Sequence, residues 1–569
     1  MFDISKIFQK KQVHPMCNVP EVKRLIANFP SDSPANTLSE VVLLLGAVCD
    51  VEDCMLNDRM AVIKLLDETG QPLQRQLAHE YLSAARMHKQ QENRLWLPMS
   101  EFLKQTATAY LLCLDGCKKA GDGNDLAREA RPLLAVRAMR ALGAQCKWQR
   151  ARYRVPDERL WGEIYRLYQL AETKKFARIS VLPYPGSTHQ TTLQQEFLRC
   201  LMLETAAPDS LVPMQIDLVD RLAAYLASSF VLNPDSKGGT YCVDLAGNKA
   251  PARLVAELSP SPMLRFFGAG SAVQKLMAIV GEVERGSIPE ELGGDDQNTQ
   301  EQWLDVLPHA LLNWSKNSPH RKHERKHAVS RLDVVHTFVE IHRKIARIED
   351  RTEPLTLPND DMFYLERLDL KLYGFVTEKT KKALAEASSR QMDYAAQKAE
   401  AADLEGTESW VMENVSACGF GAVIPQLAED WLRLGMLIGL RQDAIKEWNV
   451  GVVRRLTRNP NMKIYIGIQI LSHEPASVRL MPLGLGDSVW DQVSDTSSKE
   501  SVSALLLSQD AQCVEQTCLL LEPGVFERHK AFELIDAGEK YCIDLTAVLE
   551  QGEDFERVAF SRQADIPPT

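Results

Sequence analysis

The sequence has no run of about 18 apolar residues, which leaves out a membrane-spanning helix. Its first residues, Met1-Phe2-Asp3-Ile4-Ser5-Lys6, lack the long apolar core and small-residue cleavage site of a secretory leader, so a cytoplasmic location is expected. There is no CxxC among the twelve cysteines. Cys113 and Cys117 stand at helical i, i+4 spacing, but no second pair or histidine cluster accompanies them, and buried reduced thiols are the expected state rather than zinc ligands. GxSxG and a glycine-rich loop ending in GK[ST] are both missing, and no spaced carboxylate pair stands out. The expectation is a protein that is not an enzyme. No fixed repeat period emerges either.

What is present is an ordinary globular composition over 569 residues, 45% hydrophobic and 25% charged, enough for three or four domains. The formal net charge of −11 argues against general nucleic-acid binding, because phosphate neutralisation needs a basic surface.

From about residue 20 to 230 the apolar residues recur at helical spacing. Leu38, Val41, Val42 and Leu45 form one stripe after Ser31-Asp32-Ser33-Pro34; Leu77, Tyr81 and Ala84 form another. Trp161, Ile164, Tyr165, Tyr168 and Ala171 follow Pro156-Asp157-Glu158, and further stripes run from Leu193 to Glu204 and from Ile216 to Leu226. Such stripes pack helix against helix, as a bundle or solenoid-like array. Alternation begins near Tyr241-Cys242-Val243-Asp244-Leu245, with Ala246-Gly247-Asn248-Lys249 as a hairpin turn, and helical patterning is predicted to resume near Pro262. Gly268-Ala269-Gly270-Ser271 with Lys275 has no predicted strand before it and reads as a helix start rather than a phosphate loop. A helix from about Glu301 to Trp314 ends near Ser318-Pro319.

Beyond residue 320 strand signals dominate. Val329 to Val339 reads as a strand running into a helix, and residues of about 360 to 405 are charged, alanine-rich and helical. Short alternating runs follow: Trp410 to Glu413, Gly421 to Ile424, Met436 to Arg441, Trp448 to Arg455, Ile464 to Leu471 and Val478 to Met481. Their spacing suits a small closed antiparallel barrel. After a polar stretch at 484–501, four more runs begin at Ala504, Cys518, Ala531 and Tyr541 and predict a further small β unit.

Two segments carry recognition chemistry. Arg321-Lys322-His323-Glu324-Arg325 puts two arginines four apart in a basic stretch, and Asn414-Val415-Ser416-Ala417-Cys418-Gly419 is a polar turn ending in glycine. A guanidinium meets guanine O6 and N7 bidentately, stacks on flat bases and pairs with phosphate. Asn414 can meet a base edge, Ser416 offers a hydroxyl and an N–H, and Gly419 permits φ > 0 and close backbone approach. Either segment alone is an ordinary basic surface or an ordinary turn. Their flanks add weight: Gly419-Phe420-Gly421-Ala422-Val423, then Leu434-Gly435, then Trp448 through Gly451-Val452-Val453 to Arg455, then Ile466-Gly467-Ile468.

An RxxxR followed by [D/N]xSxxG and these strands resembles the ligand-binding pattern of PilZ domains. The resemblance implies a β-barrel that binds cyclic di-GMP through Arg321, Arg325, Asn414, Ser416 and Gly419, with no other cofactor and no metal. It covers roughly residues 320–482. The chain departs from the usual pattern in having asparagine where aspartate is commoner and in separating the two motifs by about 90 residues, as if the helical stretch were inserted after the first strand.

The same region admits two other readings. His320, His323 and His327 have a ligand-like spacing, but Lys322, Arg325 and Lys326 between them repel a cation. The basic stretch from Lys316 to Arg347 lacks the aromatic interleaving of single-strand binders.

The expected architecture is an α+β multidomain chain. An all-α helical array (1–235) and a mixed connector of β-hairpin and helices (236–318) precede a PilZ-like antiparallel barrel (319–483) with a helical insertion at about 340–405. A small C-terminal β unit (502–562) follows. The expected role is a bacterial cyclic-di-GMP effector whose helical region binds a protein partner or further copies of the chain. The alternative is a structural adaptor whose degenerate barrel binds no nucleotide.

Overall fold

A computed structural model describes residues 14–30, 33–84, 87–236, 239–254, 261–293, 297–316, 324–350, 381–382, 406–424, 431–442, 447–459, 463–483, 501–509, 516–536 and 539–562. The chain divides into two compact units, Met1–His320 with Thr457–Pro460, and Arg321–Leu456 with Asn461–Thr569.

The first unit is built from helices α1 (Val19–Ala27), α2 (Pro34–Asp50), α3 (Leu56–Ser83), α4 (Lys89–Ala120), α5 (Asp125–Ala151), α6 (Glu158–Thr173), α7 (Leu193–Thr205) and α8 (Pro213–Leu226). Their starts are set locally: Asn124 and Asp157 accept N-terminal amides of α5 and α6, and Thr192 with Gln195 closes a capping box on α7. The aromatic stripe foreseen on α6 is core, with Tyr168 stacked on Phe197 at 4.2 Å between ring centres. A four-stranded sheet follows, β1 (Val231–Asn233), β2 (Tyr241–Asp244), β3 (Ala252–Arg253) and β4 (Leu264–Gly268), in the order β1-β4-β2-β3, with α9 (Ala272–Glu284) and α10 (Gln297–Trp314).

Strand β4 corrects the expectation of helix from Pro262. Arg265 is held beside the sheet by Glu172, and Phe266 and Phe267 are buried there, so sheet pairing outweighs local pattern. A strand therefore does precede Gly268–Ser271, which leads into α9 as a helix start; at Gly270, with φ 55°, an added Cβ would lie 2.7 Å from Val231 Cγ1 and 2.8 Å from Ser229 O. One hydrophobic core runs from Val22 to Trp314, so the connector shares the core of the helices. Cys113 and Cys117 are buried free thiols, and burial pushes Cys113 up to about 12. Cys17 and Cys54 depart from the reduced-thiol expectation: they form a disulfide, a pairing that their separation of 37 residues does not announce.

The second unit holds two closed antiparallel barrels. The first contains β5 (Lys326–His336), β6 (Glu408–Ser416), β7 (Gly419–Ile424), β8 (Leu437–Gln442), β9 (Asn449–Arg458) and β10 (Ile464–Ser472), in the order β10-β7-β6-β5-β8-β9. Helix α11 (Phe338–Asp350) follows β5; the rest of the expected insertion, apart from 381–382, lies outside the described residues. The second barrel contains β11 (Pro475–Pro482), β12 (Val502–Leu507), β13 (Cys518–Leu521), β14 (Ala531–Asp536), β15 (Glu539–Gln551) and β16 (Glu556–Arg562), in the order β11-β12-β13-β16-β15-β14.

Two readings of the sequence change here. The run at Val478–Met481 closes the second barrel and not the first, because β11 pairs with β12 and β14. Strand β16 was not foreseen: its charged residues mask the alternation around Val558 and Phe560. Phe338 and Ile341 of α11, Leu437 and Trp448 of the first barrel, and Leu505 and Phe555 of the second pack into one shared core.

Candidate functional site

The site is assembled on the hairpin of β6 and β7 and on the start of β5. Strand β5 runs antiparallel to β6 with Lys326 opposite Val415 and His327 opposite Asn414. Arg325 is exposed and immediately precedes Lys326, so the basic segment reaches the strand pair beside the turn-forming end of β6. Arg321, His320 and His323 lie outside the described residues.

Both partners of Asn414 are irregular. The ladder of β6 on β7 slips between Met412 and Asn414, and that of β5 on β6 slips between His327 and Ser330. Bulges of this kind re-aim side chains and recur beside binding sites. Here they bring Asn414 over Gly421. A Cβ at Gly421 would lie 2.5 Å from Asn414 Nδ2 and 2.6 Å from Oδ1, so glycine is what lets the amide lie flat on the neighbouring strand. Asn414 Oδ1 is buried and meets no donor among the described residues.

The hairpin loop is only Ala417-Cys418, because Ser416 pairs with Gly419. Ser416 Oγ donates to Gly419 O at 3.3 Å, and the Ile470 amide donates to Cys418 O at 3.1 Å. Gly419 is needed for a reason other than the φ > 0 offered from sequence. It does not adopt a left-handed φ; instead a Cβ there would lie 2.7 Å from Ile468 O on β10. The same close approach recurs at Gly451, whose Cβ would lie 2.8 Å from Gln469 O.

Residues that sequence patterns did not single out support the turn. His473 Nε2 donates to Ala417 O at 2.9 Å, and its Nδ1 lies 2.7 Å from Asn449 Oδ1. Asn449, buried at the start of β9, donates from Nδ2 to Leu440 O at 3.2 Å. No motif flags His473; its position two residues before β11 becomes meaningful only once the barrel closes.

A cavity of about 430 Å³ lies within the helical unit, lined by Arg140, Lys147, Glu196, Arg199 and Asp220. Several of its charges pair with one another. Arg199 holds Asp220 through Nε and Nη2, both at 2.7 Å, and Lys147 bridges Asp217 at 2.5 Å and Asp220 at 3.0 Å. Burial opposes ionisation of Asp220, but Arg199 and Lys147 outweigh it and hold the carboxyl below its usual range; Lys147 and Arg221 do the same for Asp217. These ion pairs are internal cross-links and not open recognition groups.

Comparison with known families follows the same division. The family description "Cyclic-di-GMP receptor FimW, N-terminal domain" matches residues 20–235, and "Cyclic-di-GMP receptor FimW, middle PilZ domain" matches residues 367–476. Together the two matches take in more than half of the chain. The chain belongs to the FimW family of cyclic-di-GMP receptors. No curated protein matches it. The match to the FimW PilZ domain contains β6 through β10, hence Asn414, Ser416 and Gly419, and starts after Arg325. The FimW N-terminal domain corresponds to the helices α1 to α8. Among the described residues no helix is long and apolar enough to cross a membrane.

Proposed function

We propose that this chain is a cyclic-di-GMP effector that takes its ligand at the first barrel and passes the event to a partner-binding helical unit. Arg321 and Arg325 close over the ligand, while Asn414, Ser416 and Gly419 form the fixed wall. The observation that carries this reading is the register of β5 on β6, in which Lys326 faces Val415 and His327 faces Asn414. It brings the end of the basic segment to the polar turn although about 90 residues separate them in sequence. The buried, unmatched Oδ1 of Asn414 supports it further, since an amide beside a guanine edge gains a partner there. The partner role of the helices rests on the array α1 to α8, a form that offers an extended surface to another protein, and the switch requires that the ligand contact the two states of the basic segment differently.

Thermal shift of the full chain with cyclic di-GMP, GTP and cyclic di-AMP tests the reading. A rise in melting temperature specific to cyclic di-GMP supports it. No rise with any of the three favours a structural adaptor whose barrel binds no nucleotide.

A further inference from the structure

We propose that His473 is a positioning residue for the cyclic-di-GMP site. It acts through the Ala417-Cys418 turn and does not itself touch the ligand. The inference rests on the reading above that this turn forms part of the ligand wall.

The need for such a residue follows from the turn. Two-residue hairpin loops are favoured when their residues take φ > 0, as Asn-Gly does, because that twist matches the strands. Neither Ala417 nor Cys418 has a positive φ. Contacts from outside the turn therefore add to the Ser416–Gly419 pairing in holding its shape. The structure supplies one for each carbonyl. Cys418 O accepts the Ile470 amide at 3.1 Å, a backbone contact within the barrel. Ala417 O accepts His473 Nε2–H at 2.9 Å, a side-chain contact from the connection that leaves the barrel.

The ring is held in turn. Its Nδ1 is 2.7 Å from Asn449 Oδ1, and Asn449 is buried with its Nδ2 on Leu440 O at 3.2 Å. His473 thus stands between the turn of β6 and β7 and Asn449 of β9, which is itself tied to β8 through Leu440 O. His473 also occupies the two-residue link between β10 and β11, so the contacts that hold the turn also hold the joint of the two barrels.

Reach decides the test. A glutamine side chain places its amide nitrogen near the position of the histidine Nε2; an asparagine places its own near Nδ1. Cyclic-di-GMP affinity of the full chain is measured by calorimetry for the wild type, His473→Gln, His473→Asn, His473→Ala and Asn414→Ala. Deuterium exchange of the turn amides is measured without ligand in the same proteins.

His473→Gln is expected to bind within about threefold of wild type, and His473→Asn and His473→Ala about tenfold more weakly, the scale of one lost buried hydrogen bond. Turn amides should exchange faster in His473→Asn and His473→Ala than in His473→Gln. Equal affinities and equal exchange for His473→Gln and His473→Asn, or a wild-type His473→Ala, would overturn the inference. A wild type that does not bind, or an unaltered Asn414→Ala, would instead reject the ligand reading. The exchange comparison would then still decide whether His473 holds the turn.

Discussion

The two barrels are close in size and opposite in construction. Strands β7 to β10 of the first barrel contain Gly419, Gly421, Gly439, Gly451 and Gly467, whereas no strand of the second contains a glycine. At four of those five positions an added Cβ would come within 3.0 Å of a neighbouring strand or side chain, and at Gly467 it would lie 3.2 Å from Arg455 Cβ. The second barrel is filled by Val478, Leu480, Leu506, Leu519, Leu521, Phe532 and Leu534, all buried. Glycine in a strand forgoes packing and loses more backbone entropy on folding, so it persists where something must come close. Five such positions in one barrel and none in its neighbour mark the first as the barrel shaped around contacts, and the second as the one shaped around its core.

The contrast predicts that the second barrel is damaged by emptying and the first by filling. Phe532→Ala should destabilise the chain by about 3–5 kcal/mol in urea unfolding, since a fully buried ring leaves a cavity. Cyclic-di-GMP affinity of the protein that remains folded should change little. Gly419→Ala should have a smaller effect on stability, about 1–3 kcal/mol, because the new methyl meets the backbone oxygen of Ile468, which has little freedom to yield. Ligand binding should nonetheless be lost, a split that calorimetry beside the unfolding curve would reveal. If Gly419→Ala is neutral in both assays, the comparison of the two barrels fails.

A third outcome concerns their joint. Asp554, in the turn between β15 and β16, accepts the Leu437 amide of the first barrel at 3.0 Å. Burial raises its carboxyl above the usual range, with Glu553 adding to the rise. The folded protein therefore holds this proton more tightly than the unfolded chain, and the group stabilises the fold most below the ordinary carboxylate range, about pH 4. That contribution fades as pH rises through the elevated value. Asp554→Asn keeps the acceptor and removes the titration, so the melting temperature of the variant should gain slightly on wild type toward neutral pH. This is the smallest of the three effects.

Much of this was legible in the sequence, for physical reasons that differ by element. The stripe Trp161, Ile164, Tyr165, Tyr168, Ala171 fixes both helix and buried face, because apolar periodicity and burial coincide in α6. Strands β6 to β10 were readable from short alternating runs separated by turns such as Arg458-Asn459-Pro460-Asn461. Strands β4 and β16 were not: the first is short and carries a paired arginine, and the second alternates mostly charged with small residues. Within the site, the types and order of Asn414, Ser416 and Gly419 could be read. The role of Gly419 could not, since its constraint is the Ile468 oxygen on a strand about 50 residues away. His473 was hidden for the same reason: its partners Ala417 and Asn449 come together only through barrel closure.

Calorimetric titration of cyclic di-GMP into the wild type, Arg325→Ala and Asn414→Ala bears most directly on the meeting of the basic segment with the β6–β7 turn. The account predicts that each substitution weakens binding by about tenfold or more, on the scale of a lost charge-assisted or buried hydrogen bond. Wild-type affinity in both variants would contradict it.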